Sequence, residues 1–111
     1  MVRTVTDKIV VFSTCGDEAE AQRVGRHLVE QRVAACVTLV PGARSIYWWQ
    51  GKVEESSEWI LIIKSSREAL PKLREQLQKV HSYQVPEIVA LPIVDGSQPY
   101  LDWMEREIQL R

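Results

Sequence analysis

The chain has 111 residues, a length that fits one domain with a core large enough to need no disulfide or metal. Its 14 basic and 15 acidic residues are interspersed and give a net charge of −1, which argues against a nucleic-acid-binding surface. No apolar run approaches the roughly 18 residues that cross a membrane, and the N-terminus lacks the apolar segment of a signal peptide. Its two cysteines are far apart and form no CxxC motif, so no disulfide is required and a reducing, cytoplasmic location is expected. We expect a single domain, 1–111, in which residues 1–7 are loosely ordered.

The first third of the chain predicts a strand followed by a helix. Residues 8–14 are rich in β-branched and aromatic side chains, which is typical of a buried strand. Asp17 suits the N-cap of a helix over 18–32, whose apolar residues fall near one face. Gly25 lies on the same face, so we expect this helix to pack closely on a sheet.

The middle third predicts a long β-ribbon. Two strand-like arms, 34–49 and 52–64, flank a hairpin-turn signal at Gln50-Gly51, and Pro41-Gly42 marks a bend in the first arm. A ribbon that overhangs a small sheet exposes backbone edges and aromatic rings, and another subunit usually covers them. We therefore predict a subunit interface at the aromatic residues of the ribbon, Tyr47, Trp48, Trp49 and Trp59.

The last third predicts a helix over 67–80, a loop over 81–88, a strand to residue 94 and a short final helix. Pro71 fits only the first turn, so we expect this helix to begin a few residues before it. The resulting order is β-α-β-β-α-β plus a C-terminal helix. This order predicts an α+β, ferredoxin-like sandwich, with two helices on one face of an antiparallel sheet.

The loop over 81–88 carries an imidazole, a phenol and a carboxylate, from His81, Tyr83 and Glu87. Loops between packed elements often hold binding residues. His81 either caps the preceding helix, which the residues favour slightly, or binds a divalent metal together with Glu87. A third ligand would then come from elsewhere, such as Cys15 or a neighbouring subunit.

Other candidate residues have structural alternatives. Cys36 lies inside a predicted strand and is expected in the core, whereas Lys64 ends a strand and is either solvated or a ligand contact. Tyr100 and Trp103 are predicted at the rim of a cleft. No catalytic motif is present, and a thiol-dependent enzyme would require Cys15 and His81 to meet, so we expect a protein that is not an enzyme.

Several segments match one known family in order. Residues 34–37 and 41–52 resemble the A-A-C-x-x-x-x-P-G-x-x-S-x-Y-x-W-x-G-K run of the CutA divalent-cation-tolerance family. The loop 81–88 (H-S-Y-Q-V-P-E-I) is similar to the H-P-Y-x-x-P-E-I signature of that family, and residues 100–103 look like its closing Y-L-x-W. Lys64 fits its strand-ending lysine, so the resemblance covers nearly the whole chain.

The resemblance implies a homotrimer similar in architecture to the PII signalling proteins, with a ligand cleft at each subunit interface. It implies binding of copper or another divalent cation, no required cofactor and no enzymatic reaction. The cleft residues that it implies are Lys64, His81, Tyr83, Glu87, Tyr100 and Trp103, and the candidate metal ligands are Cys15, His81 and Glu87.

The chain departs from the family pattern near this loop. Ser82 replaces a proline, and Ser13 and Val80 stand where some bacterial members have a cysteine and a second histidine. A high-affinity copper site on those two positions is therefore not expected. The leading hypothesis is a cytosolic trimer that binds a divalent cation in its clefts. The alternative is a PII-like signalling or scaffold trimer that binds a small anionic ligand or a partner protein.

Overall fold

A computed structural model describes residues 6–110 of the chain. It contains four strands and three helices in the predicted order. The strands are β1 (Lys8–Cys15), β2 (Cys36–Trp49), β3 (Lys52–Ser66) and β4 (Val89–Pro92), and the helices are α1 (Glu18–Glu30), α2 (Leu70–Val80) and α3 (Gln98–Glu107). None of the three described helices combines the length and the hydropathy that a membrane span requires.

The strands form one antiparallel sheet in the order β2-β3-β1-β4, which confirms the predicted α+β class and βαββαβ order. The core lies between one face of this sheet and the apolar stripes of α1 and α2, where Leu28, Leu61, Ile63 and Leu77 are fully buried. Gly25 confirms the predicted close approach, because a Cβ atom there would lie 3.2 Å from Val37 Cγ1.

The ribbon of β2 and β3 is continuous on both arms. A β-bulge between Val40 and Ala43 accommodates the Pro41-Gly42 bend, where Gly42 has a φ of 85°. The hairpin turn at Gln50-Gly51 has φ values of 50° and 80°, as a type I′ turn requires. The pairing of β1 with β3 ends where Cys15, the last residue of β1, lies opposite Trp59. Beyond that point the two arms of the ribbon pair only with each other, over about 25 Å.

The opposite face of the sheet carries neither α1 nor α2. The side chains that alternate with the core residues, among them Val10, Phe12, Ile60 and Ile62, are apolar and only half-buried. The outermost strands, β2 and β4, each have a free edge within the described part of the chain, and all four residues of β4 are exposed. An apolar sheet face and two free edges are features that a partner usually covers.

Several boundaries differ from the sequence-based expectation by two residues or more: α1 ends at Glu30 rather than at 32, β2 begins at Cys36 rather than at 34, β3 continues to Ser66, and β4 ends at Pro92 rather than at 94. Helix α2 begins at Leu70 rather than several residues before Pro71, because residues 67–69 form a turn that Ser66 Oγ closes by accepting the Ala69 N–H at 3.2 Å. Residues 1–5 of the predicted loose N-terminus lie outside the described residues. Asp7 is held, since its carbonyl accepts the Arg67 N–H at 2.8 Å.

Candidate functional site

His81 is the first residue after α2, and its side chain is fully enclosed. Its Nε2 lies 2.6 Å from the Thr14 carbonyl oxygen, and its Nδ1 lies 3.0 Å from the Tyr83 backbone N–H. A carbonyl only accepts and an N–H only donates, so the imidazole is neutral, with its proton on Nε2. Both ring nitrogens are therefore occupied by backbone partners, and neither has a lone pair free for a metal ion.

Cys15 lies beside His81, with its Sγ atom 3.6 Å from Nε2. The two residues thus meet, as a thiol-dependent reaction would require. However, burial raises the pKa of the Cys15 thiol to about 12, and the nearby charge of Glu20 adds to the effect. Because the thiolate is the nucleophile and the metal ligand, this enclosed thiol is poorly suited to either role. Cys15 and His81 form a structural pair, which we call the buried pair.

Glu20 fastens the loop to α1. Its Oε2 accepts the Ser82 backbone N–H at 2.7 Å, and its Oε1 accepts the Gly16 N–H at 3.4 Å, although the carboxylate is only 6% exposed. Burial opposes the charged form of Glu20, but the hydrogen bonds from Ser82 outweigh it and hold the pKa below its ordinary value. Sequence reasoning missed this contact of Glu20; its position three residues after the cap residue Asp17 was the available signal.

A second carboxylate, Glu58, is also buried, at 6% exposure. It lies where the ribbon enters the sheet, and its Oε2 accepts the Tyr83 O–H at 2.8 Å. Burial and this contact with Glu58 raise the pKa of Tyr83 above its ordinary value. The Tyr83 ring also packs against the His81 ring, with centroids 4.7 Å apart. Sequence reasoning missed Glu58, which stood out only as a lone acid before the apolar run of β3.

A cleft of about 660 Å³ opens between the ribbon and the loop that follows α2, and we call it the ribbon cleft. Glu87 borders it, is exposed, and makes no hydrogen bond or ion pair with Cys15 or His81. Two of the four predicted interface aromatics, Tyr47 and Trp49, also border it. The full lining consists of Thr14, Ser45, Ile46, Tyr47, Trp49, Glu58, Tyr83, Gln84, Val85 and Glu87.

The other two aromatics of the ribbon differ from each other. Trp48 is 74% exposed, and its predicted place in a subunit interface stays a prediction. Trp59 is half-buried and packs against the core of its own chain, because it lies where β3 runs beside the end of β1. Its predicted place in a subunit interface is therefore not needed to explain its burial.

The remaining predicted cleft residues form a separate group. Lys64 Nζ lies 5.9 Å from the centroid of the Tyr100 ring, and the Tyr100 and Trp103 rings are 5.4 Å apart. Cys36, expected in the core, is half-buried and belongs to this group, with its Sγ 3.5 Å from Tyr100 Oη. That hydrogen bond, together with burial, raises the pKa of Tyr100 to about 12.

One chain therefore brings the predicted ligand residues together in two places. Lys64 lies five residues along β3 from Trp59, the partner of Cys15, so the groups are about 17 Å apart along the strand. Among the residues that the structure describes, no three His, Cys, Asp or Glu side chains are close enough to hold a metal ion. The metal site predicted from Cys15, His81 and Glu87 stays a prediction. It would need ligands from a second chain, and the His81 imidazole would have to release its backbone partners.

Comparison with known proteins identifies the family. The family model described as "CutA1 divalent ion tolerance protein" matches residues 9–107. The divalent-cation tolerance protein CutA of Thermus thermophilus is 50% identical over 95 residues, which cover 86% of this chain and 92% of the relative. A rice relative, named chloroplastic, is 40% identical over 102 residues, which cover 92% of this chain and 58% of that protein.

The fold agrees with solved structures of the same family. The crystal structure of CutA from Xylella fastidiosa matches with a TM-score of 0.91 and 40% identity, covering 94% of this chain and all of that one. Together with the match of the family model over residues 9–107, these similarities show that the chain belongs to the CutA1 divalent ion tolerance family.

Proposed function

We propose that the chain works in tolerance to divalent cations as a homotrimer, binding copper or another divalent cation in clefts between its subunits. The observation that carries the proposal is the ribbon cleft, which one chain leaves open and whose charged lining residues, Glu58 and Glu87, are both acidic. Carboxylate oxygens are common ligands of divalent cations. The Thermus thermophilus relative is named for tolerance to such cations.

The trimer part of the proposal is supported by apolar surface on the single chain. The sheet face that lacks α1 and α2 carries half-buried Val10, Phe12 and Ile62, and the edge strand β4 exposes Val89 and Leu91 at 50% and 49%. A second copy that covers this face and pairs with a free edge removes both liabilities. Placing a neighbouring chain against the ribbon would also complete the lining of the cleft.

Light scattering at micromolar concentration tests the trimer. We expect the wild-type protein to have three times the protomer mass of 12.8 kDa. Phe12→Lys, which introduces a charge on the apolar face, should lower this mass, whereas Gln78→Lys, on the exposed surface of α2, should not. A wild-type monomer at this concentration contradicts the proposal.

The cation part is supported by which donors face the cleft. Glu58 and Glu87 line it, whereas Cys15 and His81 are closed off in the buried pair. A cation held by the two carboxylates would take its remaining ligands from a neighbouring chain. A cation held by His81 would first require the imidazole to release Thr14 and Tyr83.

Copper titration by calorimetry separates these two arrangements. Glu87→Ala should weaken the affinity at least about tenfold, as expected when a charged contact is lost. If the carboxylates hold the ion, the copper affinity of His81→Ala should match that of the wild type. An equal loss of affinity in both variants would mean that His81 also binds the ion. Wild-type protein that binds no divalent cation refutes this part of the proposal.

A second function is supported by the Lys64 group. Lys64 has no carboxylate within ion-pair distance among the described residues, and the aromatic rings of Tyr100 and Trp103 lie beside it. An ammonium next to one exposed and one half-buried ring suits a small anion, as a PII-like signalling or scaffold trimer would bind. Loss of a captured anion or partner in Lys64→Ala, with metal removed, would favour this alternative.

The cellular location is a proposal as well. The rice relative is named chloroplastic, and one solved relative, from Archaeoglobus fulgidus, is described as periplasmic. We keep a cytoplasmic location as the expectation for this chain. Fractionation of cells that express the full protein is the measurement that checks it.

A further inference from the structure

The ribbon cleft combines two features that a bare metal ion does not need. It has the size of a small-molecule site, about 660 Å³, within the usual range of roughly 300–1,000 Å³. Three aromatic residues, Tyr47, Trp49 and Tyr83, border it, together with the apolar side chains of Ile46 and Val85. Such walls favour a ligand with an apolar body rather than a hydrated ion alone.

The charge of the cleft has one sign. In one chain, Glu58 and Glu87 line it, and no lysine or arginine is among the described residues that do so. Tyr83 reports the same negative field, because burial and the charges of Glu58 and Glu20 raise its pKa above the ordinary value. A site of this polarity attracts cations and repels carboxylates and phosphates.

Glu58 supplies the specific contact. The residue is 6% exposed, yet its only hydrogen bond from a described residue is the Tyr83 O–H on Oε2. Its Oε1 atom has no partner among the described residues and keeps some contact with solvent. The only fully buried side-chain polar atom without a partner in the described part of the chain is Ser13 Oγ. A largely desolvated carboxylate with one neutral donor gains strongly from a second, charged donor.

We propose that the ribbon cleft binds a small organic cation, an ammonium or guanidinium group on an apolar body. The cationic head lies against Glu58 and Glu87, and the apolar body lies among the aromatic residues. Aromatic faces attract organic cations, which adds to the carboxylate contacts. This inference rests on the proposed function, because it names a further class of ligand for the same cleft, one that would compete with a divalent cation for Glu58 and Glu87.

Calorimetry with n-butylammonium and n-butylguanidinium tests the inference, in buffer with EDTA so that metal binding contributes nothing. We expect saturable binding of both cations by the wild-type protein and none of n-pentanol, which has a similar apolar body without the charge. Glu58→Gln should weaken binding at least about tenfold, because it keeps the shape and loses the charge. Glu75→Gln, the same change on the exposed surface of α2, should have no effect.

Further outcomes decide the remaining alternatives. If Glu58→Gln fails to fold, the exposed Glu87→Gln replaces it and should also weaken binding. No saturable binding of either cation, or equal binding of n-pentanol, overturns the inference. It is also overturned if Glu58→Gln lowers the oligomer mass in light scattering, since Glu58 would then pair with a cationic side chain of a second copy.

Discussion

His81 and Glu87 are six residues apart in one loop, yet the structure treats them differently. The His81 side chain is fully enclosed and both its nitrogens bind backbone groups, whereas Glu87 is exposed at the ribbon cleft. The imidazole and the neighbouring thiol have the stronger chemistry for binding metals, but they are used to hold the loop. Ligand-type side chains therefore serve a site only when a lone pair is left free and reachable.

The buried pair and the ribbon cleft are linked by Tyr83. Its backbone N–H donates to His81, and its phenol donates to Glu58 at the floor of the cleft. The enclosed part of the loop therefore fixes the position of the part that faces solvent. Changes to enclosed residues should appear first in stability, and changes to cleft residues first in binding.

The largest expected effect is on the reactivity of the Cys15 thiol, compared between native and denatured protein. In a Cys36→Ser background, Cys15 is the only cysteine. A thiol whose pKa is raised from 9.0 to about 12 has roughly a thousandth of the ordinary thiolate fraction at neutral pH. Labelling with a disulfide reagent should therefore be at least about 1,000-fold slower in the native than in the denatured protein. Rapid native labelling would show that the buried pair is open to solvent.

The next effect is on stability. His81→Ala removes an enclosed ring and leaves the Thr14 carbonyl and the Tyr83 N–H without their partners. We expect a loss of about 2–4 kcal/mol in the free energy of unfolding. Denaturant unfolding at fixed protomer concentration measures it, with the exposed Gln84→Ala in the same loop as control. A loss no larger than that of the control would mean that the imidazole does not hold the loop.

The sequence was sufficient for the fold because its signals are local. Alternating apolar residues, the Gln50-Gly51 turn and the Asp17 cap each act within a few residues, and each was found where expected. The same reasoning placed His81 at the end of α2, where it lies. Boundaries were less certain, as at α2, because a side-chain contact from Ser66 replaced a first helical turn.

The site was harder to predict because its contacts are distant in sequence. Glu20 and Ser82 are 62 residues apart, and Glu58 and Tyr83 are 25 apart, so nothing local pairs them. Local hydrophobic patterns also place acidic residues such as Glu20 and Glu58 on the solvent side, whereas both are buried. The predicted ligand residues separated into two groups for a similar reason, since strand register rather than sequence order decides which ends of the sheet they reach.

A smaller effect is expected at Glu20, and it should depend on pH. The folded-state pKa of Glu20 lies below its ordinary value of 4.5, so its contribution to stability is present above about that pH. As pH falls through the folded-state pKa, the carboxylate is protonated and the contribution is lost. Glu20→Gln should cost about 1–2 kcal/mol at pH 7 and progressively less in acid. The check is the difference in unfolding free energy from wild type across that range, and a constant difference would exclude a role for the charge.

The smallest effect on stability should come from Glu87. Its side chain is exposed and makes no hydrogen bond or ion pair with a described residue, so Glu87→Ala should change the free energy of unfolding by less than about 0.5 kcal/mol. The same variant is expected to weaken cation binding at the ribbon cleft, which is the reverse of the result expected for His81→Ala, where stability falls and binding is kept. Unfolding and calorimetry on one preparation make the comparison direct. A large loss of stability in Glu87→Ala would mean that both ends of the loop are structural, and the contrast with His81 would be lost.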